Sequence, residues 1–147
     1  MPLLGFRDIF WPALGIVCIS FHLWLIFAGL VPNLVTRPIH MALAMPWVFL
    51  WRPKGQRIAI WSALACLAGL AACAWVAFEQ NSLADQYGSL EGALQTTLAV
   101  VLILAAIDMA RRAVGWPLPF IAALMLLYGL FGQHIPGEFG HAGMPLG

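Results

Sequence analysis

The side chains able to do chemistry are few and fall into three groups. His22 lies in the middle of the apolar run WPALGIVCISFHLWLIFAGLV, and His40 lies early in the next one. An imidazole inside a membrane span can relay a proton, act as a ligand, or bond across to a neighbouring helix as a neutral ring. The last is the simplest role for His22. Two histidines on adjacent spans are also a ligand set for haem. Counting from the expected span ends puts them about 5 Å apart in depth at 1.5 Å per residue, which is awkward for one haem plane. The second group is Asp108, Arg111 and Arg112. Spacings of three and four residues put them on one helix face, and arginines suit the negative end of a helix. The group reads either as a topology anchor with a partly neutralising aspartate or as a fixed contact to a partner subunit or loop. The third group is His134, Glu138 and His141. These are metal-ligand types, but Pro136, Gly137 and Gly140 leave no helix to align them, so zinc is not expected. Cys18, Cys66 and Cys73 show neither metal-ligand nor disulfide spacing and read as small apolar residues. The chain holds no nucleophile–base pair, phosphate-binding loop or carboxylate dyad, so neither an enzyme nor a cofactor is expected.

The elements that must position these groups follow from composition. Of 147 residues, 63% are hydrophobic and only 9% charged, against roughly 25% charged in soluble domains. So few polar residues cannot cover a globule of this length, and lipid must solvate much of the surface. A formal net charge of +1 without a long basic run gives no sign of nucleic-acid binding. A spanning helix needs about 20 mostly apolar residues. Five segments approach this: Trp11 to Val31, Val35 to Trp51, Arg57 to Phe78, Leu90 to Ala110, and Ala113 to Gly132. Pro38 suits the first turn of the second segment and Pro46 should kink it. Ser89 suits an N-cap for the fourth, with Glu91 near its positive end. The first segment is too long for a signal-peptide core and has no small-residue cleavage site after it, so a retained helix is expected. The expected fold is therefore an all-α, polytopic bundle of about five spans over residues 1–133, followed by a Gly/Pro-rich tail or linker over 134–147.

Orientation follows the basic residues of the short loops. Arg52, Lys54 and Arg57 lie between spans two and three, and Arg111 and Arg112 between four and five. The loop from Glu79 to Ser89 has no basic residue, and Arg37 stands alone between spans one and two. This predicts a cytoplasmic N-terminus and an external tail. Six of the seven tryptophans (Trp11, Trp47, Trp51, Trp61, Trp75, Trp116) fall near expected span ends, as interfacial anchors do, while Trp24 lies deeper. Ala65, Gly69, Cys73 and Ala77 recur every four residues, a stripe that would let another helix approach closely.

The stretch IDMARRAVGWPLPFIAALMLLYGLFG (Ile107 to Gly132), followed by IPGEFGH (Ile135 to His141), resembles the tripartite ATP-independent periplasmic (TRAP) transporters, TAXI branch. The similar segment there is acid-x-x-Arg-Arg…Gly-x-x-Leu-Pro, then an apolar span, then Pro-Gly and a histidine. FHLWLIFAGLVP and RPIHMALA also resemble that branch's N-terminal region. Asp108 stands where the family pattern has Glu, which keeps the charge. The resemblance implies the small membrane component, a helical scaffold in a bacterial inner membrane. Its partners would be a large permease component holding the substrate and sodium sites, a periplasmic substrate-binding protein and the lipid bilayer. In the TAXI branch the two membrane parts are commonly fused, so the chain corresponds to a separate small subunit or to the small-subunit region of a fused permease. The small membrane subunit of tripartite tricarboxylate transporters has similar size and hydropathy, and a haem-bearing redox anchor is the alternative of another class. In a cysteine-free background, Leu83→Cys should react with an impermeant thiol reagent added outside, and Gly55→Cys should not. The reverse labelling would overturn the expected orientation.

Overall fold

The computed structural model describes residues 5–53, 55–87 and 89–140. Among them the chain is helical and contains no strand. In order, the helices are α1 (Phe6–Ala28), α2 (Asn33–Phe49), α3 (Ile60–Phe78), the short α4 (Gln80–Asp85), α5 (Gly92–Val114) and α6 (Pro117–Phe131), which runs into a 3₁₀ turn at Gly132–His134. The five long helices answer one for one to the five expected spans. Four of them, α1, α3, α5 and α6 with its 3₁₀ turn, are long and apolar enough to cross a membrane. The chain is a multi-pass membrane protein.

α2 is the exception, and its place in the bundle explains it. Its 17 residues span about 25 Å at 1.5 Å per residue, short of a hydrocarbon core of about 30 Å. It is also the helix packed most fully, against α1, α3 and α5. Met45 and Phe49 are completely buried. A helix shielded by protein on several sides tolerates interior prolines, because neighbours can satisfy freed backbone groups. Pro38 is one of these. It was expected in a first helical turn, but α2 starts at Asn33 directly after Pro32, so Pro38 falls in the second turn. The Pro46 carbonyl accepts both Leu50 N–H (2.8 Å) and Trp51 N–H (3.1 Å), which closes the helix.

Other boundaries shift for local reasons. α1 starts at Phe6 rather than Trp11, where Asp8 Oδ2 accepts the Gly5 N–H at 3.3 Å. It ends before Gly29, whose φ of 75° is a conformation that side-chain-bearing residues rarely adopt. α3 starts at Ile60 rather than Arg57. The expected Ser89 cap is not formed. The Ser89 hydroxyl donates to the Gln86 carbonyl at 2.8 Å, and Glu91 becomes the N-cap, its N–H bonded to Gln95 Oε1 at 2.8 Å.

The core is the triangle of α2, α3 and α5, where Met45, Phe49, Cys66, Cys73 and Ala105 meet. The small-residue stripe of α3 turns inward, and its neighbour is this chain's own α2. A Cβ placed on Gly69 would lie 2.5 Å from Met45 Cε and 2.7 Å from Met45 Sδ, with Ala105 Cβ at 3.7 Å. Here the absence of a side chain is what lets α2 approach.

α1 and α6 flank this triangle. α6 packs on α5, and the Tyr128 hydroxyl donates to the Phe139 carbonyl at 2.8 Å, holding the following residues against it. α1 buries no residue and packs on α2 alone among the described elements. Its attachment is a ladder on one helical face, with rungs every three or four residues. Arg7 donates to the Arg52 carbonyl, Trp11 packs at a tilt on Trp47 with ring centroids 5.0 Å apart, Gly15 faces Trp47, Cys18 points at the Leu43 carbonyl, and His22 meets His40.

Gly69→Leu should destabilise the bundle by about 3 kcal/mol through overpacking against Met45. Gly69→Ala should be nearly neutral, because a methionine tip can move and alanine favours the helix by about 1 kcal/mol. Met45→Ala should relieve part of the leucine's cost, a non-additivity of about 1 kcal/mol or more in a double-mutant cycle of unfolding in detergent. Additive effects would mean that the two positions do not touch.

Candidate functional site

Five of the six arginines gather at one end of the bundle because the helices alternate in direction. The start of α1, the end of α2, the start of α3 and the end of α5 meet there. Two contacts demonstrate it: Arg7 reaches the Arg52 carbonyl, and Arg112 reaches Ser62. Arg57 lies on the loop between α2 and α3 at the same end, while Lys54 lies outside the described residues. Glu79, Asp85 and Glu91 fall at the opposite end with Arg37. This is the asymmetry read from the loops.

At the arginine end, Asp108 organises the last two turns of α5. Its Oδ1 accepts Arg111 Nε at 2.9 Å and Nη2 at 2.6 Å, and its Oδ2 accepts Arg112 Nε at 2.8 Å. Asp108, Arg111 and Arg112 therefore do form one cluster, as their spacing predicts. Its reach beyond α5 comes from Arg112. Nη1 donates to Ser62 Oγ on α3 at 3.0 Å, and the guanidinium lies 4.9 Å from the centroid of the Phe49 ring on α2. Arg111 turns the other way, 5.6 Å from the Trp116 ring. One arginine thus pins three helices, while the second braces the corner into α6. Ser62 and Phe49 were not singled out from sequence. The available signal was Ser62, a hydroxyl in the first turn of an otherwise apolar span, at the end where the arginines also fall. Phe49 carried no signal beyond hydrophobicity.

Gly69 and His22 belong to other places. Gly69 is two turns into α3 from Ser62 and serves the packing described above. His22 sits on the α1–α2 seam, with Nε2 2.6 Å from His40 Nδ1 and Nδ1 2.6 Å from the Cys18 carbonyl oxygen. These partners set the tautomers. A carbonyl only accepts, so His22 Nδ1 carries the proton. Its Nε2 in the neutral ring is then an acceptor, and His40 Nδ1–H must donate to it. The expected depth difference between the histidines is not found. α1 ends at Ala28, three residues before its expected end, and α2 begins at Asn33, two before its expected start, so both rings fall nearly two turns from the connecting loop. Metal–nitrogen bonds of about 2 Å would separate two axial imidazole nitrogens by about 4 Å. As they stand, the facing nitrogens hold each other.

In the tail, His134 and Glu138 are exposed, and His141 lies outside the described residues. Among the described residues, no three His, Cys, Asp or Glu side chains gather where they could hold a metal ion.

The Ser62–Arg112 bond can be isolated with Ser62→Ala, Arg112→Gln and the double variant. A coupling of about 1 kcal/mol in unfolding is expected for a charged hydrogen bond that keeps some solvent access. Zero coupling would show that Arg112 holds α5 without help from α3. No family model, curated protein or solved structure matches the chain.

Proposed function

We propose that the chain is the scaffold, or small transmembrane component, of a secondary-active transporter of the TRAP type, in a bacterial inner membrane. It would serve uptake of organic acids or amino acids delivered by a periplasmic binding protein. The observation that carries this reading is where the polar groups of the spans are bonded. His22 is bonded to His40 and to its own helix, and Thr96 and Thr97 donate back to the Gly92 and Ala93 carbonyls at 3.1 and 2.7 Å. Asp108 is held by two arginines, and Ser62 by one of them. Transport sites instead place broken helices and available polar groups near the midplane. Bonds made within the chain suit a body that holds its shape beside a moving partner.

The resemblance over Ile107 to His141 supports the same reading. Its acid-x-x-Arg-Arg element is the group that ties α5 to α3, and its Gly-x-x-Leu-Pro element is the α5–α6 corner, with Gly115 at φ 99°. The outward faces of α1 and α6 are apolar and uncovered, as in Ile26 and Phe120. They offer surface both to lipid and to a large component.

In liposomes with a sodium gradient and a suitable binding protein, the chain alone should give no uptake above empty vesicles. Adding the large component should restore uptake, and the two should copurify. Gradient-driven uptake by this chain alone would overturn the scaffold reading. A red preparation with a Soret band lost on His22→Leu would replace it with a haem anchor.

A further inference from the structure

We propose that the groove between the C-terminal ends of α2 and α5 binds the headgroup of an anionic phospholipid. The groove encloses about 460 Å³ and is lined by Trp47, Val48, Trp51, Arg52, Arg112 and Ala113. Two guanidiniums face it, and among the described residues no carboxylate lines it.

Both arginines are held in place with donors to spare. Arg112 is fixed through Nε and Nη1 by Asp108 and Ser62 and lies over Phe49. Its Nη2 has no acceptor among the described residues. Arg52 donates Nη1 to the Trp51 carbonyl at 2.7 Å, and its Nε and Nη2 likewise have no described acceptor. Charge is also left over. Among the described residues, three guanidiniums, Arg52, Arg111 and Arg112, stand around the groove with one carboxylate, Asp108, already bonded to two of them. Arg7 and Asp8, of opposite charge, both line a second groove that shares Trp51 and Arg52. A surplus of positive charge at partly buried guanidiniums calls for an anion.

Its place in the bundle identifies the anion. The groove lies at the ends of spanning helices and is walled by Trp47 and Trp51, and tryptophan rings settle at the level of lipid headgroups. The apolar Val48 and Ala113 complete the lining, and the outer helical faces around it are apolar, giving acyl chains a surface to follow. A guanidinium offers parallel N–H donors that match two phosphate oxygens. The missing carboxylate decides between lipid classes. The ammonium of a zwitterionic headgroup would meet arginines and find no counter-charge, while a headgroup with only the phosphodiester charge would not. Basic pockets between transmembrane helices are suited to such headgroups. The proposal does not depend on the transporter reading.

The test uses the full chain, delipidated in a neutral detergent, with native mass spectrometry and thermal unfolding as readouts. Phosphatidylglycerol should bind and stabilise the chain, phosphatidylcholine should do so several-fold more weakly, and inorganic phosphate at matched concentration should do little. Arg52→Gln should weaken phosphatidylglycerol binding about fivefold, the worth of one arginine near a charged lipid surface. Among the described residues Arg52 makes one side-chain bond, to the Trp51 carbonyl, so this variant should keep its helical circular dichroism. Arg112→Gln should add a further loss, and Arg37→Gln, at the opposite end, should change nothing. Equal binding of the two lipids, or undiminished binding by a folded Arg52→Gln variant, would overturn the proposal. Stabilisation by inorganic phosphate equal to that by phosphatidylglycerol would also overturn it, in favour of a free-anion site.

Discussion

Met45 of α2 fills the space that Gly69 of α3 leaves open, and the rest of the bundle depends on that close approach. With Met45 and Phe49 wholly buried, α2 becomes the hub on which α1, α3 and α5 converge. In lipid there is little hydrophobic gain in bringing apolar helices together, so close packing has to supply the attraction. A glycine opposite a flexible thioether does this well, because methionine adapts its shape to the gap. The same approach brings Phe49 beneath the Arg112 guanidinium one helical turn along, where an aromatic face favours a cation. The packing contact and the charged cluster are thus consecutive turns of one interface.

Polar links do the work at the edges of this core, and they differ in kind. At the arginine end the links come from one charged guanidinium, are directional and join three helices. Along the α1–α2 seam they are sequential: a guanidinium on a backbone carbonyl, a tilted indole pair, a thiol and an imidazole pair. α1 needs them because it buries no residue. The chain of donors from His40 to His22 to the Cys18 carbonyl runs in one direction, since each neutral imidazole has one donor and one acceptor. A residue that looks functional in isolation, a histidine inside a span, thus takes part in holding a lipid-exposed helix.

The concentration of arginines at one end has two separate consequences. In the sequence it is an orientation signal, read from which loops carry basic residues. In three dimensions it is also a local excess of positive charge, because Asp108 serves Arg111 and Arg112 together and Arg52 is left without a carboxylate among the described residues. The first consequence requires only loop order. The second requires knowing which arginine each carboxylate reaches.

Sequence by itself determined the helical class, the five long elements and the charged end of the bundle. Each rests on local chemistry: apolar runs of spanning length and arginines at fixed offsets from Asp108. Spacing alone put Asp108, Arg111 and Arg112 on one face, since a helix enforces that neighbourhood. Only the tertiary structure decided which helices touch. Apolar spans look alike along the chain, and nothing in the stripe Ala65–Gly69–Cys73–Ala77 says whether it meets α2 or another molecule. The same ignorance hid Ser62 and Phe49 and misjudged the histidine depths. A shift of a few residues in where α1 ends and α2 begins moves a ring by several ångströms along the membrane normal. Such boundaries are set by how the helices pack, as much as by the residues at their ends.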